Sequence, residues 1–198
     1  MTAINTEQIK KLRELTGAGV LDAKRTLEEH NGDFDKALAI LKEKGMKAAE
    51  KKAERVAKQG LIETYVHGGG KLGVMVEVNC ETDFVAALAE FRELVHNIAL
   101  QIAATKPEYV SVEDIAPAVI EEKKKMFTEA ALAEGKPAHI VEKIVNGKLE
   151  AYYKEACLLR QPFIRDDQQT IQDLIQATIA KVGENIVVKR FVRYELGA

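Results

Sequence analysis

Val76-Glu77-Val78-Asn79-Cys80-Glu81-Thr82-Asp83-Phe84-Val85 changes its periodicity halfway along. Up to Asn79, apolar and polar residues alternate, the pattern of a half-buried strand. At Thr82-Asp83-Phe84 the alternation stops. From there Val85, Leu88, Phe91, Leu94, Val95, Ile98 and Ile102 recur at spacings of three and four, the stripe of a helix. A strand therefore runs into a helix at a short corner that carries an acid and a large aromatic. Asp83 is a candidate N-cap, its carboxylate accepting free amide hydrogens of the following turn. Phe84 is either a core aromatic or a side chain held outward from a rigid base.

Working outward, 61–66 and 72–79 read as two strands joined by His67-Gly68-Gly69-Gly70-Lys71. The three glycines lack the spacing of a phosphate-binding loop, and a strand rather than a helix follows them. Downstream, helices are predicted over 85–104, 117–134, 137–159 and 170–182, the third interrupted at Asn146-Gly147. A last strand, 184–196, carries Ile186, Val188, Phe191 and Tyr194, with Lys189, Arg190 and Arg193 between them. Strands at both ends of a helical stretch imply an antiparallel sheet packed with helices, an α+β fold.

The N-terminal part has a different texture. Residues 1–42 read as three short helices. Thr6 caps the first, whose inward stripe is Ile9, Leu12 and Leu15. Thr16-Gly17-Ala18-Gly19 ends it, glycine taking the positive φ that a helix stop often needs. The second helix, 20–29, turns Val20, Ala23 and Leu27 inward. Asn31-Gly32-Asp33 is a turn, and Asp33 caps the third helix, 34–43. Such a bundle resembles a ubiquitin-associated module and is marginal on its own. The stretch 45–58 holds Lys47, Lys51, Lys52, Arg55 and Lys58 against Glu50 and Glu54, and reads as a solvated connecting helix. The expected organisation is a helical bundle over 1–44, a connecting helix over 45–58 and an α+β core over 59–198.

Composition removes several function classes. The 198 residues carry 30% charged side chains of mixed sign and a net charge of −2, so the chain as a whole is no polyanion binder. No apolar run reaches the length of a membrane span, and MTAINTEQIKK does not read as a signal peptide. Cys80 and Cys157 form no CxxC, and His30, His67, His96 and His139 are scattered, so no metal-ligand spacing emerges. A reduced, cytoplasmic setting fits this usage. Cys80 stands beside Glu81, and negative surroundings discourage a thiolate nucleophile. Asp166-Asp167 reads as a cap for the helix that starts near Thr170, and Glu121-Glu122 as a solvated face. No general acid–base pair, triad or cofactor motif is present, and the expectation is a non-enzyme without a cofactor or metal.

Two stretches carry a specific resemblance. VEVNCETDFVA, residues 76–86, and LRELTGAGVLDAKRTL, residues 12–27, resemble the two signatures of bacterial translation elongation factor Ts. Further similarity runs through 135–167 and 182–197, so it covers essentially the whole chain, at the length of a short-form member. The resemblance implies a guanine-nucleotide exchange factor for the GTPase elongation factor Tu. It implies that Thr82, Asp83, Phe84 and Val85 form an intruding corner, with Phe84 the wedge that disturbs the Mg²⁺ and phosphate site. It further implies a second contact from the N-terminal module through Leu12, Arg13, Thr16, Gly17, Ala18, Gly19, Val20 and Leu21. Short members are expected to pair as homodimers in a two-plus-two assembly with elongation factor Tu, the strand 191–196 being one pairing edge. Neither nucleic acid nor membrane is an expected partner. Val20-Leu21 stands where the family often has two methionines, and Ala23 where it often has cysteine. Ala87-Leu88-Ala89 replaces a more polar continuation of the corner. The main rival is a partner-binding or chaperone scaffold for a GTPase without exchange activity, which has no need of the Thr-Asp-Phe corner. A Cys80 enzyme and an RNA contact through 47–58 are weaker alternatives.

Overall fold

A computed structural model describes residues 5–197; the outer ends of the expected organisation, residues 1–4 and 198, lie outside them. Helices α1 (Thr6–Thr16), α2 (Val20–Glu29) and α3 (Phe34–Glu50) form the N-terminal bundle. Leu12, Ala23, Leu27, Ala37 and Leu41 are its buried centre. Asn5, one residue earlier than Thr6, caps α1 in a reciprocal box with Gln8. Asp33 caps α3 as expected, accepting from the Lys36 amide at 3.0 Å. Leu15 and Val20, expected inside, are exposed, because Thr16 rather than Leu15 stands one turn beyond Leu12 and α2 turns in Ala23, Thr26 and Leu27.

The core follows. Strands β1 (Gln59–His67) and β2 (Leu72–Cys80) form the expected hairpin, turned through Gly68, Gly69 and Gly70, all at positive φ. Then come α4 (Asp83–Ala87), α5 (Ala89–Thr105), α6 (Pro117–Ala133), α7 (Ala138–Ala156), a short hairpin of β3 (Pro162–Phe163) and β4 (Asp166–Thr170), α8 (Ile171–Val182) and β5 (Val187–Glu195). The long strands make an antiparallel sheet in the order β1-β2-β5, and the architecture is α+β. Val74, Val76, Val78 and Cys80 of β2 face inward onto Phe91, Leu94 and Ile98 of α5, with Ile175 and Ile179 of α8 in the same core. Burying a side chain of this size contributes about 1.5–3 kcal/mol each, and their sum secures this layer.

A bulge explains the uneven alternation of the last strand. Glu77 pairs with Arg190 and Val78 with Val188, which leaves Lys189 as the extra residue. Val188 and Phe191 consequently both turn in, and so does Arg193, whose guanidinium donates to the Ala103 carbonyl in the last turn of α5 at 3.3 Å. Tyr194 is turned out.

Four helical expectations change. The third helix does not stop at residue 43 but runs through Gly45 to Glu50, after which 51–55 form turns in place of a connecting helix to residue 58. Gly45 permits this: a Cβ there would come within 3.2 Å of Ala180 on α8, so its bare backbone lets the two helices approach. The helix expected over 85–104 is broken at Leu88, which is extended (φ −66, ψ 143). In one unbroken helix Ala86 and Phe91 would stand about 140° apart; the break lets both reach the same core. The interruption expected at Asn146-Gly147 is absent, because both residues are exposed while Val141, Val145 and Leu149 hold α7 against Ala131 of α6. Thr170, not Asp166 or Asp167, caps α8, in a box with Asp173.

Candidate functional site

The corner between β2 and α4 is held from one side. Thr82, not Asp83, is the N-cap: its Oγ1 accepts from the Val85 amide at 3.3 Å. The same hydroxyl donates to Glu184 Oε1 at 2.6 Å. Glu184 Oε2 accepts the amides of Glu81 (3.1 Å) and Thr82 (3.0 Å). In return Glu81 Oε1 accepts the Asn185 amide at 2.7 Å, and buried Asn185 donates its side-chain amide to the carbonyls of Ala53 (3.1 Å) and Arg55 (2.8 Å). Hydrogen bonds to a carboxylate are the stronger kind, and those accepted by Glu184 and Glu81 meet within one small volume. The Arg55–Glu81 ion pair is long, at 3.7 Å, and exposed on its arginine side, and it adds little.

On that base Val85 and Ala86 are buried and Phe84 is not: it is 81% exposed. Asp83 is the first residue of α4 and is exposed too, with no hydrogen bond to the corner among the described residues. Since Thr82 does the capping, the Asp83 carboxylate is left facing solvent beside the ring. A large aromatic and a carboxylate thus project together from backbone fixed by the cap and by Glu184.

The N-terminal candidates divide by burial. Leu12 is fully buried in the bundle, and Thr16 is buried with its hydroxyl donating to the Leu12 carbonyl at 2.6 Å and accepting the Ala18 amide at 3.2 Å. Ala18 packs on the bundle core. These residues shape the loop. Arg13, Gly19, Val20 and Leu21 are exposed, Leu21 by 81%. The loop stands on α1 and α2, which pack with α3, whereas α4 packs on α5, β1 and β2, so the two candidate sets lie on different layers of the molecule.

Gly17 joins the layers. It ends α1 at φ +68, and a Cβ there would stand 2.6 Å from Lys181 Cα on α8. Gly17→Ala is expected to cost about 2–3 kcal/mol, from αL strain plus that backbone clash, and to lower Tm by roughly 4–10 °C. Gly19→Ala is the control: Gly19 has φ −63 and its nearest neighbour would be 3.7 Å away, so Tm should stay nearly that of wild type. Thermal melts of the two variants check this.

Nothing beside the corner supports thiol chemistry. Burial pushes the Cys80 thiol up, and the Glu184 charge pushes it further. Burial pushes Cys157 up to about 11. Among the described residues no group of three or more metal-ligating side chains comes together, and no helix is long and apolar enough to cross a membrane.

Comparison with known proteins gives the family. A family model for Elongation factor TS matches residues 2–198. The chain belongs to the elongation factor Ts family. Elongation factor Ts of Carboxydothermus hydrogenoformans is 56% identical over 194 residues, spanning 98% of this chain and 89% of its own length. That of Coprothermobacter proteolyticus is 58% identical over 194 residues, spanning 98% of each chain, and that of Moorella thermoacetica is 55% identical over 194 residues, spanning 98% and 96%. Membership of the elongation factor Ts family gives the chain a role in translation elongation. The residues that sequence reading missed are Glu184 and Asn185. They lie in a stretch similar to the family, but nothing local signals that they would fold back onto a corner about a hundred positions earlier.

Proposed function

We propose that this elongation factor Ts is a guanine-nucleotide exchange factor that binds elongation factor Tu in its GDP form in the cytoplasm and speeds release of GDP. The reading rests above all on Phe84, a large aromatic left in solvent on a corner that is rigidly held. Exchange requires no bond to be made or broken, so the protein acts without being an enzyme and without a cofactor of its own. It has to bind the nucleotide-free GTPase better than the GDP-bound one, and by linkage it then weakens GDP by the same factor by which GDP weakens it. Phe84 intrudes near the elements that support Mg²⁺ and the phosphates, where a small displacement removes much of the charge stabilisation of GDP. Asp83 accompanies it as a hydrogen-bond acceptor for the partner. Arg13, Gly19, Val20 and Leu21 supply a second contact, for which Leu12, Thr16, Gly17 and Ala18 set the loop.

Two chains pair in this reading, giving a two-plus-two complex. The open face of the sheet favours it: Ile62, Val66, Met75, Val192 and Tyr194 are exposed on the side away from the core.

The test is release of a fluorescent GDP analogue from elongation factor Tu into excess unlabelled GDP. The expected result is acceleration that saturates with added factor. Binding without acceleration would overturn exchange and leave the alternative, a partner-binding or chaperone scaffold for the GTPase.

A further inference from the structure

We infer that Glu184, in the turn between α8 and β5, is the positioning residue that aims Phe84, and that Asn185 braces it; this rests on the exchange reading above. A corner only five helical residues long has no stability of its own, since helix nucleation is unfavourable and short helices are marginal in water. Its direction has to be fixed from outside. Within the corner itself Thr82 satisfies two amides, that of Val85 through its hydroxyl and that of Ala86 through its carbonyl at 3.2 Å. The Glu81 and Thr82 amides find their acceptor in a single oxygen of Glu184, and the Thr82 hydroxyl donates to the other oxygen. One carboxylate thereby sets the last turn of backbone before Phe84 and the rotamer of the cap.

The segment that carries this carboxylate is itself held. Asn185 is buried; its amide donates to Glu81, and its side chain donates to two carbonyls of the segment leaving α3. Lys181, three residues before Glu184, is the backbone against which Gly17 of the N-terminal loop is pressed. The stretch from Lys181 to Asn185 therefore supports both exposed sets of candidate residues, the Phe84 corner directly and the Gly19-Val20-Leu21 loop through Gly17. Glu184 and Asn185 lie outside the two motifs, 12–27 and 76–86, in the stretch 182–197 that is also similar to the family.

Removing the carboxylate leaves two partly buried amides without a partner, and such groups cost more than the bond they lose. In Glu184→Ala the corner is then free to fray while the core beneath it, Val85 and Ala86, stays packed. Glu184→Gln keeps one oxygen for the two amides and loses the charge.

Two measurements test this. The first needs no partner: amide hydrogen exchange of Glu81 and Thr82, followed by NMR on the full chain. In Glu184→Ala these amides should exchange about tenfold faster or more, one charge-assisted bond expressed as a rate ratio, while the amides of β1 and α5 keep their wild-type rates. Glu184→Gln should lie between wild type and alanine, and it carries the test if the alanine variant fails to fold. Unchanged exchange at both amides would overturn the latch. The second is GDP release with wild type, Glu184→Ala, Phe84→Ala and the double variant. Glu184→Ala should lower the saturating release rate about tenfold, and the double variant should release no more slowly than Phe84→Ala alone. A further tenfold loss in the double variant would show that Glu184 acts independently of Phe84, which overturns the positioning role. If wild type itself gives no acceleration, the exchange reading fails, and the amide rates still decide separately whether Glu184 fixes the corner.

Discussion

Replacing Phe84 with alanine is expected to slow GDP release from elongation factor Tu at saturating factor by on the order of thirtyfold or more, the worth of one interface hot spot. The fold should not notice. The ring is 81% exposed, and substitutions at such positions usually stay within about 0.5 kcal/mol, so the Tm should be that of wild type. The effect is expected to be uneven between states of the GTPase. If the ring enters only when the phosphate site opens, its removal weakens binding to the nucleotide-free form by nearly the same factor as it slows release, and leaves binding to the GDP form almost unchanged. Phe84→Leu, which keeps bulk and loses the flat ring, should fall between. Stopped-flow release with calorimetric affinities for both nucleotide states would read this pattern. Wild-type release rates in Phe84→Ala would remove the ring from the mechanism and put the weight on Val20 and Leu21. The rigidity of the corner matters to the size of the effect. A side chain with two torsions on pinned backbone surrenders little entropy on docking, so most of its contact energy remains for prising the site open.

Local pattern made the secondary structure legible and non-local contact decided its ends. The alternation of Val74, Val76 and Val78 announced β2, and it is the central strand of the sheet. Leu12, Ala23 and Leu27 announced the bundle, and they are its centre. The misread places are those where a distant partner decides. Gly45 stands just past the expected end of the third helix and is instead a contact surface for Ala180 inside a longer one. Gly147 costs roughly 1 kcal/mol in a helix, and α7 accepts that cost because its other face is packed on α6. Arg193 looks like a solvent-facing residue of the last strand, and a bulge at Lys189 turns it in to the end of α5. At the corner, the residue types alone made Asp83 a candidate cap, whereas Thr82 takes that place, its hydroxyl accepting the Val85 amide and donating to Glu184. The exposure of Phe84, the property on which the functional reading depends, follows from the turn of α4 that buries Val85 and Ala86 instead. Periodicity could name the aromatic but not its direction.

Met75→Glu is expected to hold the protein as a monomer at concentrations where wild type is expected to pair. Met75 lies in the middle row of the open sheet face, opposite Thr64 on one side and Val192 on the other. Val66 and Tyr194 continue the face toward one end, and at the other the Glu77–Arg190 ion pair at 2.8 Å gives it a polar border. With strands of nine residues, the face is roughly 30 Å by 14 Å. Two such faces in contact would bury on the order of 900 Å² in total, below the 1,200–2,000 Å² of standard stable interfaces. The pairing should therefore be concentration-dependent, with wild-type mass rising from one chain toward two as concentration increases. About a two-fold axis each introduced carboxylate would meet its own counterpart or an apolar neighbour, and an unpaired charge shut away from water costs several kcal/mol, more than a face of this size returns. In the single chain Met75 is half exposed, so the substitution should leave the Tm nearly unchanged. Sedimentation across a concentration series separates the outcomes. Wild type that stays monomeric at its highest concentration would remove the two-plus-two assembly from the proposal while leaving exchange by a single chain intact. Met75→Glu that pairs like wild type would move the contact off this face and toward the free edge of β5.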